Sequence, residues 1–268
     1  MLHLSQPFQL KAIRTALDFH WDSSFRFSGE SHRMWESVYV LAGRVEVTED
    51  ERVYILNPGD LIFHSSQEFH RIRSIDGTQP HVRVISFDHS GTLPSQLSEG
   101  VFSLGFEEAE EHQRIFQQIQ QLQHAPDPDP YLLADVLFSL SALFLRVSRK
   151  KPRQDRESRS RTAWEYHRAV AAMKEALYEN LTMDDLCSRT AISYSTMKQL
   201  FKTYAGIGPG VYYDRLRGLE GMRLLEEGVS IRQISEDLGY SSPNYFCVCF
   251  KKLFGISPGQ WRASRIGK

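Results

Sequence analysis

With 268 residues, 41% of them apolar and 24% charged, the chain has the make-up of a soluble globular protein and enough length for one large domain or two ordinary ones. Its net charge of −1 excludes a uniformly basic surface, but the charge is segregated: residues 157–268 hold 16 Lys and Arg against 12 Asp and Glu, and residues 1–156 hold 16 against 21. A mildly basic carboxy-terminal part suits phosphate contacts, whereas an acidic amino-terminal part does not lie along the same backbone.

Residues 1–14 contain no continuous apolar run and no small-residue cleavage site, so no secretory signal is expected and the expected location is cytoplasmic. The most apolar segment, residues 131–147, is short and carries Asp135, Ser139, Ser141 and Arg146, which reads as a buried helix with no membrane association. Cys187, Cys247 and Cys249 cannot all pair with one another and read as reduced thiols.

From residue 25 to about residue 89 the chain reads as short strands. Residues 38–41, 45–47, 53–56, 61–63 and 82–85 are rich in β-branched and aromatic side chains, and Gly43, Asn57-Pro58-Gly59-Asp60 and Asp76-Gly77 punctuate them. Strands this short and evenly spaced predict a small sandwich or barrel. His32, Glu36 and Gly43, followed by Pro58-Gly59-Asp60 and His70, resemble the two motifs of the cupins, although Glu30 stands where metal-dependent members carry a further His. Glu30, His32, Glu36 and His70 are chemically able to hold a divalent ion. The same positions serve equally as pocket-lining or hydrogen-bonded residues, and the expectation is no metal and no cofactor. A barrel interior is the natural place for a small ligand, with Trp35, Tyr39, His64, His70 and Arg83 as its candidate contacts.

Two helices should follow. Residues 107–123 begin with acids suited to a helix N-terminus and carry Ile115, Phe116, Ile119 and Leu122 on one stripe. Three prolines within residues 125–130 forbid continuation. In the second helix Leu132, Leu133, Val136, Leu137, Leu140, Leu143 and Phe144 make a broader apolar surface, to be buried against the barrel alone or shared with a second subunit. Residues 149–161 lack bulky apolar side chains and are crowded with charge, which predicts an exposed linker between a domain at 1–148 and another at 162–268.

The second domain contains an internal repeat. Thr182, Met183 and Leu186 match Ser230, Ile231 and Ile234 at an offset of 48 residues; Ser193, Phe201, Lys202, Gly206 and Pro209 match Ser242, Phe250, Lys251, Gly255 and Pro258 at an offset of 49. Each copy has a capped short helix, a turn and a second capped helix, the grammar of a helix-turn-helix. In the second copy Ser230 caps residues 231–238, Gly239 ends them, Ser242-Pro243 opens the next helix, and Phe246, Phe250 and Phe254 line its inner face up to Gly255. Residues 209–226 should form a helix joining the copies, with Tyr212, Leu216, Leu219 and Leu225 on its apolar side. Gly218 and Gly221 each weaken that helix by about 1 kcal/mol, which close packing would explain.

Gly239-Tyr240-Ser241, Tyr245-Phe246, the run from Phe250 through Lys251, Lys252, Leu253 and Phe254 to Gly255, then Ser257-Pro258 and Arg262 closely resemble the AraC/XylS family of bacterial transcription regulators, over roughly residues 166–262. The resemblance implies an α+β multidomain protein: an amino-terminal cupin-like β-barrel with accessory helices, for effector binding and dimerisation, and a carboxy-terminal all-α domain of two helix-turn-helix units joined by a linker helix. It further implies sequence-specific binding to double-stranded DNA, control by a small-molecule effector of unknown identity, contact with RNA polymerase and a homodimer. Transferred residue by residue, the DNA contacts are Ser193, Tyr194, Ser195, Thr196, Lys198, Gln199 and Lys202 in the first unit, and Ser242, Pro243, Asn244, Cys247, Val248, Lys251 and Lys252 in the second. Gln199 is suited to adenine and Lys198 to guanine, while Val248 offers only an apolar contact to a thymine methyl, so the first helix should discriminate bases more strongly. The alternatives are a metal-dependent cupin enzyme with an appended helical domain, against which no nucleophile, phosphate loop or paired catalytic motif is found, and an interaction module that has lost DNA binding.

Overall fold

The computed structural model describes residues 8–153, 158 and 160–266, without the side chains of 264–266; residues 154–157 and 159 of the expected linker lie outside the described residues. The chain divides into two compact units, Met1–Ser158 and Arg159–Lys268. In the first, β1 (Phe8–His20), β2 (Trp35–Ala42), β5 (Asp60–His64), β7 (His81–Gly91) and β8 (Phe102–Ser103) form a five-stranded sheet in the order β1-β7-β2-β5-β8. The other strands, β3 (Val45–Glu49), β4 (Arg52–Leu56) and β6 (His70–Ser74), form a second sheet in the order β4-β3-β6.

Strand periodicity assigns the two faces of the large sheet different tasks. In β2 and β7, Val38, Val40, Val82 and Val84 join Val45, Val47 and Ile72 in a core between the sheets. Their neighbours Tyr39, Ile85 and Phe87 point the other way, into a core shared with α1 (Phe106–His124) and α2 (Pro130–Val147). Phe63 of β5 meets Phe144 of α2 edge to face at 4.8 Å, and Ile115, Phe116 and Ile119 bury the predicted stripe of α1. α2 is apolar and long enough to cross a membrane, but Val136, Leu140, Leu143, Phe144 and Val147 are its inner side against the sheet. Tyr131, Leu133 and Phe138 remain exposed.

Three strands were absent from the sequence expectation. β6 has a single aliphatic residue, Ile72, between two arginines, and β8 is only two residues long. β1 is longer, but its ladder with β7 shifts register between Leu10 and Ala12 and again between Ile13 and Thr15. Each bulge inverts the alternation, so no single period runs through the strand.

In the second unit α3 (Arg161–Glu175) precedes the first helix-turn-helix, α4 (Met183–Thr190) and α5 (Tyr194–Tyr204). α6 (Pro209–Glu226) leads to the second, α7 (Ile231–Asp237) and α8 (Pro243–Phe254), and α9 (Pro258–Ile266) closes it. α3 and α9 were not anticipated. The predicted caps form: Thr182, Ser193, Ser230 and Ser242 accept from the backbone N–H groups of Asp185, Thr196, Gln233 and Tyr245. Tyr166, Phe201 and Tyr212 build one aromatic core; Ile234, Leu238, Phe246, Phe250 and Trp261 build the other. The α6 glycines have a physical cause: a Cβ at Gly221 would stand 2.8 Å from the Phe246 ring, and one at Gly218 2.7 Å from Leu253.

Candidate functional site

Between the sheets lies a cavity of about 480 Å³. One wall is apolar: Leu17 and Phe19 from the inward face of β1, then Trp21, Phe25 and Phe27 from the segment after it. Trp21 stacks on Phe25 with ring centroids 4.0 Å apart and on Phe19 at 5.4 Å. At the polar end stand Glu30, His32, Glu36, His64 and His70. Glu36 is held by register: it pairs with His64 of β5 and with Ser86 of β7, whose hydroxyl donates to its carboxylate at 3.0 Å. Glu30 is joined to His70 by a two-way backbone bridge.

Of the five expected ligand contacts, His64 and His70 line this cavity; Trp35, Tyr39 and Arg83 do not. These three lie on the opposite face of the sheet, one residue out of phase with Glu36, Val38 and Val84. Tyr39 packs 4.6 Å from His112 of α1, and the Arg83 guanidinium lies over the Phe116 ring and reaches Gln113. The aromatic wall was missed with β1, although Leu17, Phe19 and Trp21 do alternate beyond its second bulge.

The polar end is rich in acceptors. The Nδ1 atoms of His32 and His70 donate to the carbonyls of Met34 (3.0 Å) and Glu68 (3.3 Å), which anchors each ring with its Nε2 toward Glu36. Both Nε2 atoms are buried without a hydrogen-bond partner. They stand 3.6 and 3.3 Å from the two carboxylate oxygens of Glu36, and His70 Nε2 is 3.9 Å from Glu30. Burial alone would raise the pKa of Glu36, but the imidazoles facing it hold its carboxyl well below the usual range. Glu36 in turn raises that of His32. Behind them, His64 Nδ1 lies 2.7 Å from Glu49 and its ring stacks on His70 at 4.2 Å. Burial pushes the Glu49 carboxyl up and the His64 imidazole down.

The four side chains fit a divalent ion. Donors about 2.1 Å from a common ion are roughly 3.0–3.5 Å apart, close to the observed spacings, and two orphaned imidazole nitrogens with anchored Nδ1 atoms are its usual ligands.

In the second unit α5 presents one solvent face. Tyr194, Ser195, Thr196, Lys198, Gln199 and Lys202 are all exposed, while Met197, Leu200 and Phe201 point into the core. Ser193 is exposed too, but its hydroxyl is spent on capping and on those of Ser195 (2.9 Å) and Thr196 (2.8 Å). Lys198 lies over the Tyr194 ring at 5.1 Å. On α8, Pro243, Asn244, Val248, Lys251 and Lys252 are exposed; Ser242 is the cap, and Cys247 is half-buried against the core. Tyr245, absent from the transferred positions, is half-exposed at the place of Thr196.

Comparison with known proteins matches residues 186–264 to a helix-turn-helix domain family and residues 24–87 to the cupin domain family. The HTH-type transcriptional activator RhaR of Klebsiella pneumoniae is 24% identical over 247 residues, 88% of this chain and 87% of its own. A solved transcriptional regulator from Chromobacterium violaceum, described as containing an AraC-type DNA-binding domain, is 33% identical over 38% of this chain and 91% of its own, with a TM-score of 0.36. ToxT from Vibrio cholerae O395 is 14% identical over 98% of this chain and 99% of its own, with a TM-score of 0.39. With a cupin domain followed by paired helix-turn-helix units, each with its own core, the chain belongs to the AraC family of DNA-binding transcriptional regulators.

Proposed function

We propose that the chain is an effector-controlled transcription activator that is not an enzyme, with residues 1–148 as effector and dimerisation domain, 149–161 as linker and 162–268 as the DNA-binding domain. The observation that carries this reading is the pairing of a ligand-sized cavity in the first unit with two exposed recognition helices in the second. α5 and α8 enter successive major grooves, about 34 Å apart on one face of the duplex. Ser195, Lys198 and Gln199 read bases from α5, with Lys202 on the phosphates; Asn244 is the polar reader of α8, with Val248 on a thymine methyl and Lys251 and Lys252 on the backbone. Tyr131, Leu133 and Phe138, exposed on α2, support a homodimer through that helix. Contact with RNA polymerase and a cytoplasmic location follow from the same reading. The effector acts only so far as it binds the DNA-competent and DNA-incompetent states with different affinities. If a divalent ion is resident, Glu30, His32, Glu36 and His70 would hold it, and it would supply a positive charge for ligand binding.

An operator-variant binding series tests the DNA reading. Gln199→Ala should remove about 1–3 kcal/mol of discrimination at the half-site under α5, and Asn244→Ala less at the other. Equal losses at both half-sites would overturn the division of labour, and no loss at either would overturn the assignment of recognition helices.

A further inference from the structure

We propose that the cavity of the cupin-like unit selects an amphipathic cation: a positively charged group among Glu30, His32, Glu36 and His70, carrying a flat apolar body that lies against Phe19, Trp21, Phe25 and Phe27. The inference rests on reading this cavity as the effector site and adds the chemical class of its ligand.

Charge is the first ground. No Lys or Arg is among the described residues that line the cavity, while two carboxylates do, so a carboxylate or phosphate head would have no ammonium or guanidinium to meet it and two anions to repel it. Donor chemistry is the second. The two imidazole Nε2 atoms lack hydrogen-bond partners in a buried site, and a ring whose single proton is committed at Nδ1 to a carbonyl accepts at Nε2. A group bearing several donors, or a metal ion, satisfies both nitrogens and the Glu36 carboxylate together. The remaining volume is the third. A bare ion fills a few cubic ångströms of a cavity of about 480 Å³, and the apolar wall of Phe19, Trp21, Phe25 and Phe27 leaves room for an apolar body whose positive end lies at the polar end.

The positive charge has two possible sources with one chemistry: an organic ammonium, or a divalent ion chelated by the organic body. Calorimetric titration of the full-length protein separates them. The probes are 2-phenylethylammonium, 2-phenylethanol and 3-phenylpropionate in metal-free buffer, then Zn²⁺ or Mn²⁺ alone, then salicylate with and without the ion. An ammonium source predicts metal-free binding of 2-phenylethylammonium at least about tenfold tighter than the alcohol or the acid. A metal source predicts binding of the ion alone and of salicylate only in its presence. In either case Glu36→Gln should weaken the cation at least about tenfold. Glu30→Gln, at a half-exposed position where folding is less at risk, should weaken it by a smaller factor. The proposal is overturned if the acid binds metal-free as tightly as the ammonium, if both Gln variants leave cation affinity unchanged, or if none of the probes binds. Phe25→Ala keeps the two failures apart. Metal-free binding of alcohol or acid that this variant abolishes leaves the cavity as the effector site and removes only its preference for cations; binding insensitive to it removes both.

Discussion

Phe201 in α5 and Phe250 in α8 stand at equivalent places of the repeat and are both fully buried, each in the core of its own helix-turn-helix. On the solvent-facing side of the same two helices Gln199 corresponds to Val248, and the exposed Lys198 to Cys247, half-buried at the edge of the core. The scaffold is kept where side chains must fill a core, and the copies diverge where side chains face solvent. The turns differ in the same instructive way. Both C-terminal ends of the first helices adopt positive φ, but the first unit places Ala191 there (φ 52°) and the second Gly239 (φ 68°). Ala191 is exposed, whereas Gly239 is pressed against the Asn180 side chain, just before the first helix-turn-helix. Glycine is demanded where a neighbour approaches, and alanine is tolerated where only the backbone angle costs energy.

The largest effect should come from the shared scaffold. Phe201→Ala and Phe250→Ala should each destabilise the DNA-binding unit by about 3–5 kcal/mol in urea unfolding. Their near-equality is the point, since a difference of more than about 2 kcal/mol would mean that the cores are not equivalent.

Much of this unit was legible because helix ends announce themselves chemically. Ser230 and Ser242, Thr182 and Ser193, and the glycines that follow each carry a local signal independent of tertiary context. The cupin-like unit was legible in outline only. Residues 36–40 of β2 are buried on both faces, one by the small sheet and the other by α1 and α2, so hydrophobicity does not show which of them points inward. That ambiguity put Trp35, Tyr39 and Arg83 among the ligand contacts, while Phe19 and Trp21 stayed hidden in a strand with two bulges.

A smaller effect should separate the two turns. Gly239→Ala forces an L-residue into left-handed backbone, at about 1–2 kcal/mol, and drives its Cβ into Asn180, for a total loss of about 2–4 kcal/mol. Asn180→Gly in the same chain removes the obstructing side chain at a position whose own φ of 54° suits glycine. The double variant should therefore recover the steric part and retain the backbone part. If it recovers nothing, the contact with Asn180 does not explain why glycine stands at 239.

Ala191→Gly is the converse test and the smallest in size. Relieving left-handed strain at an exposed alanine returns about 1–2 kcal/mol to the folded state. The added freedom of the unfolded chain takes back about 0.4–1 kcal/mol. The net should be a gain of about 0.5–1 kcal/mol, a rise of a few degrees in Tm for a unit of this size. A loss of stability would mean that the Ala191 methyl makes a contact of its own at this turn. The first helix-turn-helix would then be fixed by packing there, as the second is by Asn180, and the distinction between an open turn and a docked one would fail.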